Sequence, residues 1–210
     1  VPVAQNAFDN CYCTPTYTDD CSNGANIGSF STTGSINNIT NNNTGCTGPF
    51  TYYADKYVTA VQNTTVNFSV TAQSFSGGVR IWADWNHNGV FEASEVMYSS
   101  ASTIASGATA TGSFVVPTTA MADTTRMRVR IVESTTGFEP CTNYGYGETE
   151  DYMFIVIAQT ACAGTPAPGS TISSASNICV SGTSNLSLTN NYLTSSGISY
   201  QWQSSPDGSA

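Results

Sequence analysis

Between Arg126 and Ile131 the chain alternates cationic and apolar side chains without a break: Arg126, Met127, Arg128, Val129, Arg130, Ile131. Successive side chains of an extended strand leave opposite faces, so the three arginines share one face and Met127, Val129 and Ile131 the other. The apolar face has to pack on a core, and the arginine face then requires carboxylate partners. The segment therefore predicts a half-buried strand.

The same period-two pattern, rich in β-branched and aromatic residues, recurs along the chain. It predicts strands over Tyr57 to Gln62, Thr65 to Gln73, Gly78 to Trp85, Glu95 to Ser99, Ala110 to Val116, Thr125 to Glu133 and Asp151 to Gln159. Clusters of Gly, Asn, Ser and Pro separate these runs at short intervals, and no segment has a helical period, so the expected fold is all-β, an antiparallel β-sandwich. With 210 residues, 40% hydrophobic and 9% charged, the chain can bury a core, and its length suits one domain plus part of another. A net charge of −9 with a single lysine, Lys56, argues against an electrostatic grip on nucleic acid or anionic lipid. The apolar run Met153 to Ala158 is too short to cross a bilayer, and the chain opens without a signal-peptide pattern, as expected of a processed product.

Seven cysteines, at 11, 13, 21, 46, 141, 162 and 179, lack the paired spacing of a zinc site, which points to disulfides and an exported protein. Cys11 and Cys13 are too close on an extended segment to bridge each other easily. The expected pairs are Cys13 with Cys21 and Cys46 with Cys141, other connectivities staying open. The odd number leaves at least one thiol free or paired outside this sequence. Asn-X-Ser/Thr triplets at Asn38, Asn42, Asn63, Asn67 and Asn185 suit a glycosylated exterior but arise by chance in a chain this rich in Asn and Thr.

From Asp84 to Glu95 the oxygen-bearing side chains recur at the spacing that wraps a hard cation. Counting Asp84 as the first position, Ca2+ ligands would come from Asp84, Asn86, Asn88, the Val90 carbonyl, Glu92 and Glu95, while Gly89 permits the sharp turn. The preceding strand pattern sets this loop between strands, unlike a helix-loop-helix sensor. Asn88-Gly89 is also a hairpin signal, and Asp and Asn close turns without metal, so a metal-free turn is the competing reading. With three carboxylates, a bound ion would be held at roughly 10⁻⁴ to 10⁻³ M, a structural rather than a switching affinity.

Near Thr160 the last apolar strand gives way to a Pro/Gly/Ser-rich connector, predicting one domain over residues 1–159 and a second over 160–210. In the second, Cys179, Leu186, Leu188 and Trp202 resemble the first half of an immunoglobulin-like β-sandwich. About fifty residues without later strands cannot close such a sandwich, so the expectation is a longer parent chain or strands from a neighbour.

Four segments together resemble the GEVED domain, a β-sandwich module of exported multidomain surface proteins of Bacteroidota. They are Tyr12 to Tyr17, Ile81 to Gly89, Thr125 to Arg130 and Tyr146 to Tyr152, with Thr149 where the family commonly has Val. The resemblance spans roughly residues 11 to 158. It implies export by the type IX route and a place at the cell surface or in the medium; it does not imply catalysis.

Within that last motif Glu148 and Glu150 fall on one strand face and Asp151 on the other. The expected role of the glutamates is an ion-pair ladder with Arg126, Arg128 and Arg130; alternatively Glu150 or Asp151 completes the cation shell of the Asp84 loop. The only histidine, His87, sits inside that loop, which leaves no imidazole for a nucleophile, so no enzyme is expected. The expected function is a non-catalytic extracellular structural or adhesive module, stabilised by Ca2+ and disulfides, that self-associates, as in a surface filament, or joins neighbouring domains of a larger surface protein. The alternative is a targeting or carbohydrate-binding appendage of a secreted hydrolase, with Tyr52, Tyr53, Tyr144 and Tyr146 available to stack on a glycan ligand.

Overall fold

The computed structural model describes residues 12–19, 21–161, 169–175, 177, 181–189 and 195–196. The chain divides into two compact units, Val1–Ala158 and Gln159–Ala210. The first is a β-sandwich. Its four-stranded sheet has the order β2 (Thr40–Asn42), β1 (Ile27–Thr33), β4 (Thr65–Ala72), β7 (Thr109–Val115), all antiparallel. Its five-stranded sheet has the order β3 (Phe50–Val61), β9 (Gly147–Ile157), β8 (Asp123–Glu133), β5 (Gly77–Ala83), β6 (Val96–Ser99). This sheet is mixed rather than antiparallel throughout, because β3 runs parallel to β9. Helical structure among the described residues is confined to two 3₁₀ turns, Cys21–Asn23 and Ala93–Glu95.

The alternation in the sequence places the core. From the four-stranded sheet, Phe30, Val66, Phe68 and Val70 point inward; from the five-stranded sheet, Val79, Ile81, Met127, Val129, Ile131 and Phe154 meet them. Each such side chain contributes about 1.5–3 kcal/mol on burial. A second, smaller cluster of Trp82, Phe91, Val132 and Phe138 lies on the opposite face of the five-stranded sheet, with Tyr12, Tyr17 and Tyr144 against it. Residues 12–19 run extended along 142–145, with Tyr144 N–H donating to the Thr16 carbonyl at 3.2 Å and Thr18 N–H to the Tyr144 carbonyl at 2.9 Å. These two segments roof the sheet, which is why β9 is buried on both faces from Gly147 to Tyr152.

The roof also fixes the disulfides, and differently from the expected pairs. Cys13 is bonded to Cys141, and Cys21 to Cys46. Once residues 12–19 lie along 142–145, Cys13 is carried to Cys141 and away from Cys21, which is left to Cys46. Two disulfides indicate an oxidising, extracellular environment. No helix among the described residues is long and apolar enough to cross a membrane.

In the second unit, β10 (Thr160–Ala161) pairs in parallel with β13 (Ser195–Ser196), and β11 (Thr171–Ser173) pairs antiparallel with β12 (Leu186–Leu188). Cys162, Cys179 and Trp202, on which the immunoglobulin-like reading depends, lie outside the described residues, as does Cys11.

Candidate functional site

The arginine face of β8 lies beneath the roof, and its partner is not the one expected. Register places Arg128 opposite Asp151, and Asp151 takes both Arg128 Nε and a terminal nitrogen, at 2.8 and 2.9 Å. Arg126 reaches the same carboxylate at 3.3 Å. Arg128 and Asp151 are fully buried; the same Arg128 terminal nitrogen also donates to the Cys13 carbonyl at 2.8 Å, and the other donates to the Cys13 sulfur at 3.1 Å and the Pro140 carbonyl at 2.9 Å. Arg130 donates to the Tyr17 hydroxyl and to the Glu139 and Thr142 carbonyls. Burial pulls the Arg130 guanidinium below its ordinary range.

Aromatic rings close over these cations. Arg126 sits 3.6 Å from the Tyr52 ring centre and 4.8 Å from that of Tyr12; Arg128 faces Phe91 at 4.8 Å, and Arg130 faces Tyr17 at 5.3 Å. Desolvated contacts of this kind are worth about 2 kcal/mol. The strand thus uses its three arginines as the polar core of the roof, each tying residues 12–19 or 138–144 to the sheet. Tyr12 extends the tie to the loop, its hydroxyl donating to Asp84 Oδ2 at 2.6 Å. Burial, and then that hydrogen bond, raise the Tyr12 hydroxyl above its ordinary value.

Glu148 and Glu150 do not join this ladder. They share parity with Tyr152 and Phe154, so they face the sandwich interior, on the other side of the sheet from Arg126, Arg128 and Arg130. Both are fully buried. Glu148 Oε2 accepts the Ile27 N–H at 2.7 Å, and Glu150 Oε2 accepts the Tyr152 hydroxyl at 2.6 Å, itself bonded by the Asn41 amide at 2.9 Å. Burial, followed by the neighbouring Glu150 charge, pushes the Glu148 carboxyl up to about 9. Burial raises Glu150 to about 7, opposed by the Tyr152 hydrogen bond.

The Asp84–Glu95 loop leaves β5 as a tight turn in which every acidic or amide oxygen of the motif meets a donor of the protein. Asp84 accepts the Asn88 and Gly89 N–H groups at 3.1 and 2.8 Å, and Glu95 accepts those of Trp85, Asn86 and Glu92 at 2.8, 3.3 and 3.0 Å. Asn86 and Asn88 each accept the N–H two residues on and donate their amides to Glu92. Gly89 takes φ +81°, the left-handed conformation the turn needs. The all-oxygen donor set suits a hard cation, yet its members are tied into hydrogen bonds. Among the described residues no three Asp, Glu, His or Cys side chains are grouped to hold a metal ion. Burial raises the Glu95 carboxyl. Neither Asp151 nor Glu150 completes this loop: Asp151 is clamped by Arg126 and Arg128, and Glu150 faces the interior.

Of the four tyrosines expected to offer stacking surface, Tyr52 lies against Arg126, Tyr53 stacks on Tyr152 at 5.4 Å and Tyr144 packs on Phe138 at 6.0 Å, while Tyr146 is the most exposed. The residues not foreseen are those of the roof, Tyr12, Tyr17, Phe91, Phe138 and the Pro140 carbonyl. Tyr12 and Tyr17 bound a segment of the family resemblance and Phe91 lies in the acidic loop, and the further sequence signal is aromatic enrichment around Cys13 and Cys141.

No curated protein matches the chain. The arginine strand, the carboxylate motif and the acidic loop all fall within one stretch, and that stretch, residues 78–155, matches the family model of the GEVED domain.

Proposed function

We propose that this protein is a non-catalytic extracellular module whose family motif serves to hold a roof on a sandwich, in the structural or adhesive part of a larger surface assembly. The observation that carries this reading is the burial of the motif: Arg126, Arg128, Arg130, Glu148, Glu150 and Asp151 are all inaccessible. Charged groups without access to solvent do not meet a substrate, and Arg126, Arg128 and Arg130 instead tie residues 12–19 and 138–144 to the sheet. His87 lies in the acidic loop, and among the described residues its buried Nε2 has no hydrogen-bond partner. Self-association is the partner the reading implies. Negative-stain microscopy and sedimentation of the purified oxidised chain test it. Ordered fibres or concentration-dependent oligomers support assembly, and a strictly monomeric particle at high concentration removes it.

Calcium in the Asp84 loop belongs to the same proposal. Asp84, Asn86, Asn88, Glu92, Glu95 and the Val90 carbonyl would hold the ion, which would replace the amide donors that now engage Glu92. Ca2+ at tenfold its Kd adds about 1.4 kcal/mol to the folded state, or roughly 3–6 °C in Tm for a protein of this size. The increment should vanish in Asn86→Ala/Glu92→Ala, both exposed positions; a Ca2+-dependent shift unaltered by that change does not arise in the loop.

A second reading, a carbohydrate-binding appendage, is favoured by a shallow groove on the outer face of the four-stranded sheet. Ser31, Thr33, Asn67, Ser69, Thr111 and Ser113 line it with hydroxyl and amide groups and no charge. Glycan-array binding abolished by Asn67→Ala would replace assembly with this function.

A further inference from the structure

The chain has five Lys and Arg residues, and none neutralises Glu148 and Glu150. Arg126 and Arg128 are committed to Asp151 on the far face, Arg130 lies on that face under Tyr17, Arg80 pairs with Glu139, and Lys56 lies beside Asp55. Two carboxylates are thus buried on the interior face of β9 without a cationic side chain. Each has one oxygen bonded and the other, Oε1, buried with no hydrogen-bond partner. A third orphan acceptor belongs to the same corner: Asn26 Oδ1 is also buried and unpartnered, and Asn26 directly precedes Ile27, whose N–H is held by Glu148. The Asn26 amide nitrogen is turned to the Cys21 carbonyl, so it does not serve the glutamates. Among the described residues the pair is served only by neutral donors, the Ile27 N–H and the Tyr152 and Thr44 hydroxyls, and three buried oxygens are left over, so the place lacks positive charge, and an unpaired buried carboxylate is among the costliest features a fold can carry.

We propose that Glu148 and Glu150, with Asn26 beside them, form an interior cation site that takes a hard divalent ion of the calcium class. The donors are carboxylate and amide oxygens with no sulfur or imidazole, the set that selects Ca2+ or Mg2+ over zinc or copper. Ion entry displaces protons: the carboxyl O–H bonds break, oxygen–metal contacts form and the protons leave to solvent. The tyrosines facing the pair, Tyr53 and Tyr152, are themselves raised by burial and stay protonated. The site is independent of the Asp84 loop, which opens from β5, so either can fail alone.

The test starts from the Asn86→Ala/Glu92→Ala variant, in which the loop is disabled, refolded in chelator and then equilibrated by dialysis against millimolar Ca2+ at pH 8. The expected result is one Ca2+ retained per chain, a rise in Tm on Ca2+ addition and a release of protons into weakly buffered solution. Adding Glu148→Gln/Glu150→Gln should abolish all three. Glutamine still offers an oxygen to the Ile27 N–H and brings an amide donor to the orphan acceptors, so in chelator at pH 8 these variants should melt no lower than their parent. A loop-disabled protein that binds no Ca2+ and releases no protons overturns the proposal, as does undiminished binding in the glutamine variants. Should the double variant not fold, Glu148→Gln alone is read for the same loss of Ca2+-linked proton release.

Discussion

Replacing Arg128 by alanine removes a fully buried guanidinium that makes two charge-assisted bonds to Asp151 and three more to Cys13 and Pro140. Asp151 would remain in the sheet with only the 3.3 Å contact to Arg126. Breaking a buried pair by removing one member costs about 3–5 kcal/mol, most of it the penalty of the uncompensated charge. At about 2–4 °C per kcal/mol for a domain of this size, Tm should fall by roughly 6–20 °C. The Cys13–Cys141 disulfide holds the roof close to the sheet, which restricts relief by letting water in beside the orphaned carbonyls. The assay is calorimetry on oxidised protein for Arg128→Ala, Asp151→Asn and the pair combined. Since the double change removes both members of the bidentate pair, leaving only the 3.3 Å Arg126 contact to Asp151 disturbed, it should cost clearly less than the sum of the singles. Lys56→Ala is the control: its partner Asp55 lies at 3.7 Å with its side chain 79% exposed, and about 0–1 kcal/mol is expected. If Arg128→Ala stays within about 1 kcal/mol of its parent, or the double change is additive, the arginine face does not hold the roof as argued.

Peptide mapping of unreduced protein should recover Cys13 with Cys141 and Cys21 with Cys46; a Cys13–Cys21 peptide would refute the placement of residues 12–19. With 128 and 25 residues between the partners, loop-entropy loss gives about 5 and about 3.5 kcal/mol for replacing the respective pairs by serine, measurable by urea unfolding. Gly147→Ala should destabilise by about 1–3 kcal/mol, because Gly147 takes φ +150° and an added Cβ would meet the Ile131 carbonyl oxygen and the Tyr17 ring; an unchanged urea midpoint would contradict this. In chelator, stability should decline with pH: with folded-state values of about 7 for Glu150 and about 9 for Glu148 against an ordinary 4.5, the contribution is full below about 4.5 and is lost as pH rises through about 7 and about 9. A Tm that climbs between pH 6 and pH 9 in chelator would show the pair to be ionised at no cost.

How far the sequence reveals these relations depends on where alternation is informative. Strands β4, β7 and β8 are legible because apolar and polar residues separate largely by parity. By contrast β1 carries Gly28 and Ser29 between Ile27 and Phe30 and Ser-Thr-Thr after it, and β2 is Thr-Asn-Asn, so neither presents an apolar period although both build the core's other wall. The first half of β3 is hidden by the irregularity between Tyr53 and Tyr57, which breaks its period. The decisive failure lies in β9. From Tyr152 to Ile157 both parities are apolar, Tyr152, Phe154 and Val156 on one side and Met153, Ile155 and Ile157 on the other. The pattern therefore cannot say which face is inside, and with it whether Glu148 and Glu150 or Asp151 meets the arginines. A one-residue slip of β9 against β8 exchanges the two answers. The register Arg128 opposite Asp151 decides it and leaves two acidic residues on the core side, a placement that charge counting alone would reject. Sequence reasoning looks for the nearest cations and finds the arginines. The structure shows those cations already spent on Asp151 and the roof, so the neutralisation of the interior pair has to come from protons or from an ion that the chain does not encode.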